Sequence, residues 1–236
     1  KGNIALTKVD KDYPDNKLSG AVFEVYSDIN GDGKLDKDDT LLGEMKELDG
    51  GVYQMSELRY GKYLVKETKA PTGFVLDEDV YAVSIEENGK TYTVENKAGV
   101  GFINAAQKGS LKIVKTSSDG KVEGFSFRVT GVDYDQTFKT DKNGEIVIEG
   151  LRIGDYTVSE VSDKASAGYI LPADKQVTVK VDATAIVQMH NEFRDTPKTG
   201  DDFNLGLWVS LAVLSVVGAG VLGFVGYKNR KKKKED

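Results

Sequence analysis

Cysteine is absent from the 236 residues, and histidine occurs once, as His190. The first absence excludes disulfides, a thiolate nucleophile and cysteine-ligated metal. The second excludes a multi-histidine zinc site and leaves a Ser-His-Asp site only one candidate base. His190 itself reads as an exposed strand residue. Formal charge is also short of positive sign: Lys and Arg total 32 against 38 Asp and Glu. Six of the basic residues crowd into Lys228–Lys234, so the first 227 residues hold 26 basic against 36 acidic side chains. A surface of that sign argues against nucleic acid as a partner. The chain opens without an initiator methionine or signal peptide and reads as the C-terminal part of a longer protein.

One long apolar run is present. Leu205 to Tyr227 spans 23 residues without a formal charge, with Trp208 and Tyr227 near its ends. As a helix it is about 34 Å long, enough to cross a bilayer. The basic residues of 228–236 follow at once and place that tail in the cytoplasm, with everything before the helix outside. The expected order is therefore a transmembrane helix at 205–227 and a basic cytoplasmic tail at 228–236.

Residues before the helix form two copies of one pattern. Gly51, Leu58, Gly61 and Glu67 are spaced by seven, three and six residues, and so are Gly144, Leu151, Gly154 and Glu160. Short alternating segments bounded by Asn88-Gly89, Asp119-Gly120 and Asn143-Gly144 read as β-strands, about seven per copy. The fold class is all-β: two tandem Ig-like sandwiches, one at 1–104 and one at 109–194, joined by 105–108.

Strand parity picks out unusual core-side residues. Lys8 shares a face with Ile4 and Leu6, and Lys115 with Leu111 and Ile113. Glu67 falls in line with Tyr63 and Val65, and Glu160 with Tyr156 and Val158. Asn104 aligns with Val100 and Phe102, and Asn191 with Val187 and Met189. Each copy thus aims one Lys, one Glu and one Asn inward, which is costly unless they pair or neutralise. Parity alone also fits a half-exposed Lys–Glu pair with a capping Asn. Asn96 has the same parity as Asn104; Asn104 is preferred because it lies five residues before Gly109, as Asn191 lies five before Thr196.

The segment YLVKETKAPTGF, Tyr63 to Phe74, resembles the ETxAPxGY signature of SpaA-like, prealbumin-type domains of Gram-positive pilins and adhesins, related to the collagen-adhesin B domain. The second copy lacks APxG and reads SEVSDKASAGY. The resemblance implies a spontaneous Lys–Asn isopeptide bond in each domain, promoted by the Glu. Lys8, Glu67 and Asn104 (alternative Asn96) form the first set, and Lys115, Glu160 and Asn191 the second. Thr196-Pro197-Lys198-Thr199-Gly200, in the segment 195–204 just before the apolar run and basic tail, resembles the LPxTG cell-wall sorting signal with Thr in place of Leu. That resemblance implies cleavage by a sortase between Thr199 and Gly200. Thr199 is then joined to cell-wall peptidoglycan or to another pilin subunit, after a transient membrane intermediate.

Between strands, Asp28 to Asp39 has EF-hand-like spacing for Ca2+. Asp28, Asn30 and Asp32 fill the first alternating positions, Gly33 the turn, Lys34 the carbonyl position, and Asp36 and Asp39 the last two. Asp39 replaces the usual Glu, so millimolar affinity is expected. Tyr13-Pro14-Asp15-Asn16-Lys17 faintly resembles the pilin motif whose Lys accepts a sortase linkage, but reads as an exposed turn. The function these features imply is a non-enzymatic stalk of a wall-anchored surface adhesin or pilin-like protein, with any host or surface ligand bound by domains upstream. The alternative is the stalk of a wall-attached enzyme whose catalytic domain lies upstream.

Overall fold

The computed structural model describes residues 1–194. The sorting pentapeptide Thr196–Gly200, the apolar run 205–227 and the basic tail 228–236 lie outside the described residues. Among the described residues no helix is long and apolar enough to cross a membrane. All regular elements there are strands, seventeen of them, where about seven per copy were expected.

The first copy holds β1 (Gly2–Asp10), β2 (Val22–Ser27), β3 (Thr40–Glu44), β4 (Lys46–Glu47), β5 (Val52–Leu58), β6 (Gly61–Lys69), β7 (Val80–Ile85), β8 (Thr91–Thr93) and β9 (Phe102–Asn104). One sheet runs β4-β5-β1-β8, with β9 also on β1; the other runs β3-β2-β6-β7. The second copy holds β10 (Lys108–Ser117), β11 (Ser126–Gly131), β12 (Tyr134–Lys139), β13 (Glu145–Arg152), β14 (Gly154–Val161), β15 (Tyr169–Ile170), β16 (Lys175–Val179) and β17 (Thr184–Phe193). Its sheets run β13-β10-β17-β15 and β12-β11-β14-β16. In both copies the alternate residues of the first strand, Ile4 and Leu6 or Leu111 and Ile113, are buried between the sheets. Phe23 packs edge-to-face on Tyr53 and Phe102 in the first core. Fully burying such a ring stabilises by about 2–3 kcal/mol. The repeated turn after β5 and β13 needs glycine: Gly61 and Gly154 sit at φ 155° and 142°. A Cβ at Gly154 would also meet Val132 Cγ2 at 2.6 Å.

The first and last strands of each copy run parallel, and this decides where the site lies. β10 pairs with β17 without a break, from Ser110↔Thr184 to Ser117↔Asn191. In the first copy the last strand is interrupted: β1 pairs with β8 at Asn3–Ala5 and with β9 at Lys8–Asp10. Val100, expected on the same strand face as Phe102, falls instead in the intervening turn and is 37% exposed.

The segment expected as a linker is partly structured. Lys108 already belongs to β10, and Ala106 forms an antiparallel bridge with Phe74. Val75 donates to the carbonyl of Ala105, and Gln107 to that of Gly73. Over this joint lies Arg152, from the repeated turn of the second copy. Its guanidinium bonds both oxygens of buried Asp10, at 2.6 and 3.0 Å, and lies 4.9 Å from the ring centre of Tyr13. Burial alone would raise the Asp10 carboxyl; Arg152 and the backbone amides of Asp12 and Tyr13 together outweigh it and hold it below its ordinary range.

Candidate functional site

In the first domain Lys8, Glu67 and Asn104 meet between the sheets, all 2% exposed or less. The register is what brings them there. Lys8 pairs with Phe102, so Asn104, two residues on, returns to the same face. Glu67 pairs with Phe23 across β2 and β6 and enters from the opposite sheet. The Lys8 amine donates to Asn104 Oδ1 and to the carbonyl of Phe102 at 3.3 Å. Asn104 Nδ2 donates to Glu67 Oε1 at 3.0 Å and Oε2 at 2.9 Å. The same Oε1 lies 3.4 Å from the Lys8 amine. One carboxylate oxygen thus reaches both the amine and the carboxamide nitrogen.

The walls are aromatic. The Lys8 amine lies 4.6 Å from the ring centre of Phe102 and 5.9 Å from that of Phe23. Burial pushes the Lys8 pKa down from 10.5 to about 8, although Glu67 pulls it up. A larger share of this amine is neutral, and so nucleophilic, than for a lysine in water.

The second domain repeats the register: Lys115 pairs with Met189, two residues before Asn191, and Glu160 pairs with Phe127. Asn191 Nδ2 donates to Glu160 Oε1 at 2.7 Å. Lys115 differs. Its amine donates to the carbonyl of Thr116 and lies 4.2 Å from the ring centre of Phe125. Two buried atoms, Glu160 Oε2 and Asn191 Oδ1, are left without a hydrogen-bond partner. The corresponding first-domain atoms, Glu67 Oε2 and Asn104 Oδ1, are both bonded, the latter by the lysine amine. Burial lowers the Lys115 pKa and raises that of Glu160. An amine swung from Thr116 to Asn191 would satisfy the orphaned carboxamide oxygen, whose desolvation otherwise costs about 1–3 kcal/mol.

The SpaA prealbumin-like fold domain matches twice, over residues 2–98 and 109–193. The chain belongs to the SpaA family. Among solved structures, the Bacillus anthracis TIE protein shares the fold at 26% identity and a TM-score of 0.60, over 81% of this chain and 34% of that one. The pilus adhesin SpaC from Lactobacillus rhamnosus GG is alike in fold, at 14% identity and a TM-score of 0.50, over 81% of this chain and 31% of that one. The chain thus spans about a third of the length of either. No curated protein matches the sequence.

Other residues singled out from sequence fall around these SpaA domains. Asn96 does not bond Lys8; it bonds Asp77 and the backbone of Ile103. The 28–39 loop connects β2 to β3. Asp28 is buried and accepts from the amides of Gly31 at 2.7 Å and Gly33 at 3.1 Å. Asn30 and Asp32 accept from the amides of Asp32 and Lys34. Asp36 accepts from Asp38 and from Asn30, and Asp39 from Ile29 and Asp36. Among the described residues no three acidic or histidine side chains converge as a metal set. Each carboxylate oxygen still keeps a lone pair beyond its amide bond. Tyr13–Lys17 is a tight exposed turn, closed by Asn16 N–H on the Tyr13 carbonyl at 2.8 Å. His190 faces outward between Thr116 and Glu192. Sequence reasoning missed the aromatic walls Phe23 and Phe125, the Asp10–Arg152 joint, and Asp77. Only Asp10 left a signal, by sharing the parity of Lys8.

Proposed function

We propose that the chain is a self-crosslinked stalk of a Gram-positive surface protein, carried by two SpaA domains and attached through a sortase to peptidoglycan or to another pilin subunit. The observation that supports the crosslink most is the reach of Glu67 Oε1 to both the Lys8 amine and the Asn104 carboxamide nitrogen. The neutral amine attacks Asn104 Cγ. Glu67 takes a proton from the attacking nitrogen and gives one to Nδ2. The Cγ–Nδ2 bond breaks, ammonia leaves, and an amide joins Lys8 to Asn104. Lys115, Glu160 and Asn191 do the same in the second domain. Each site turns over once, so this is maturation rather than enzymatic turnover.

Anchoring rests on the order of Thr196–Gly200, apolar run and basic tail. In a Gram-positive host with its sortases the protein is expected in the wall fraction, released only by wall hydrolases. Deleting the cognate sortase, or substituting Thr199→Ala, should shift it to the membrane fraction. Unchanged wall attachment in both would contradict the anchoring. We also propose that the 28–39 loop closes on calcium through Asp28, Asn30, Asp32, Asp36, Asp39 and the Lys34 carbonyl, leaving its charges better compensated. Calcium at millimolar level should then raise the melting temperature of the first domain, and Asp28→Ala with Asp32→Ala should remove the rise. An unchanged melting temperature would mark the loop as a plain acidic turn.

A further inference from the structure

We propose that Asn96, held by Asp77, is a positioning residue that sets Asn104 for attack in the first domain; this rests on the crosslink reading above. The last strand of this domain is broken between Thr93 and Phe102, and β9 has only three residues. So short a strand frays unless it is tied down. Asn96 ties it. Its Oδ1 accepts the N–H of Ile103 at 2.6 Å, and its Nδ2 donates to the Ile103 carbonyl at 2.9 Å. A side-chain amide thus takes the place of a strand neighbour for the residue immediately before Asn104.

The other Nδ2 proton goes to Asp77 Oδ2 at 2.6 Å. Tyr81 donates its hydroxyl to the same oxygen at 2.8 Å, and its ring packs edge-to-face on Phe102 at 5.0 Å. The backbone N–H of Asp77 donates to Glu67 Oε2 at 2.8 Å. One unit therefore grips the acid at one end and the strand carrying the reacting amide at the other. In the second domain β17 is continuous over ten residues and lies on β10 from Thr184 to Asn191, so its Asn191 is placed by the sheet itself. Asn96 is a device of the interrupted copy.

The test follows amide formation in the full chain, made by pulse-labelled cell-free translation without sortase, with each domain's crosslink quantified by peptide mass mapping over time. Asn96→Ala should slow the first crosslink by about 10- to 100-fold, the cost of misplacing a reacting group by about an ångström. The second crosslink, in the same molecules, should form at its wild-type rate. Asn96→Asp should be equally slow, because it sets a carboxylate against both Asp77 and the carbonyl of Ile103. Adding Asp77→Asn to it restores the bond to position 77 with donor and acceptor exchanged, though not the one to the Ile103 carbonyl, and should recover part of the loss. A residue that merely stabilised the fold would slow the crosslink only as far as it lowers the melting temperature, which Asn96→Ala in the crosslink-free Asn104→Ala background measures; a slowing fully matched by that fall would also overturn the proposal. Asn104→Ala should form no first crosslink although Asn96 is intact. The proposal is overturned by a wild-type rate in Asn96→Ala, by a double variant as slow as Asn96→Asp, or by an amide on Asn96. If the wild-type first domain forms no crosslink at all, the crosslink reading falls and this inference with it.

Discussion

Pulled from residue 1 and residue 194, the wild-type stalk should stretch without releasing either β-sandwich. The first and last strands of each domain are parallel, and the reacting pairs sit toward their C-terminal ends. With the proposed amides in place, tension entering at Lys1 would run to Lys8, cross to Asn104, continue to Lys115 and cross again to Asn191. Residues 9–103 and 116–190 would then stay off the load path. The first loop closes 96 residues and the second 76. At about 3.4 Å per extended residue, an uncrosslinked domain would lengthen by roughly 330 Å or 260 Å on unfolding. Single-molecule force spectroscopy should therefore show neither step in the wild type. Glu67→Ala should restore only the longer one, and Glu160→Ala only the shorter. Both steps in the wild type would mean that strand pairing alone resists the force.

The largest effect on stability is expected from Glu67→Ala. It removes the group proposed to relay the proton, so Lys8 and Asn104 should remain unjoined. Closing a loop of about 100 residues is worth about 4–5 kcal/mol in the chain-entropy argument. For a domain this size that corresponds to a fall in melting temperature of about 20 °C or more. Asn104→Ala separates the crosslink from the ion pair, since it prevents the bond while keeping Lys8 beside Glu67. The unjoined fold also acquires a pH dependence that the amide lacks. In Asn104→Ala, which keeps Glu67, with Lys8 lowered to about 8 in the fold and at 10.5 when unfolded, the unfolded chain binds more protons between those values. Stability of the unjoined domain is therefore lowest below about pH 8 and rises toward pH 10.5. Calorimetry of the two variants against wild type checks both effects. Equal melting temperatures would show that no covalent bond had been lost.

Much of the site was legible because strand parity is a rigid rule. Lys8, Glu67 and Asn104 each stood in line with two apolar neighbours, and a buried polar residue on an apolar face is conspicuous. The repeat then doubled each signal. What was not legible lies where periodicity stops. Asp77 belongs to the irregular stretch before β7, and its part depends on a backbone N–H that no side-chain pattern encodes. The break between β8 and β9 was hidden, because Val100 keeps the right parity while sitting in a turn. Asn96 looked like a rival to Asn104 for the same reason: parity says which face a residue takes, not which neighbour it meets. Arg152 was hidden differently. Its turn repeats Arg59 of the first copy, and nothing local says that only the second turn meets an aspartate from another domain.

The proposed crosslink turns an amine and a carboxamide into one amide in each domain. Intact mass of the whole chain, produced without sortase and measured after denaturation, tests this most directly. The mass should fall short of the sequence mass by two ammonia molecules, by one in Glu67→Ala or Glu160→Ala, and by none in the double variant. A wild-type chain at its full sequence mass would mean that neither domain is crosslinked.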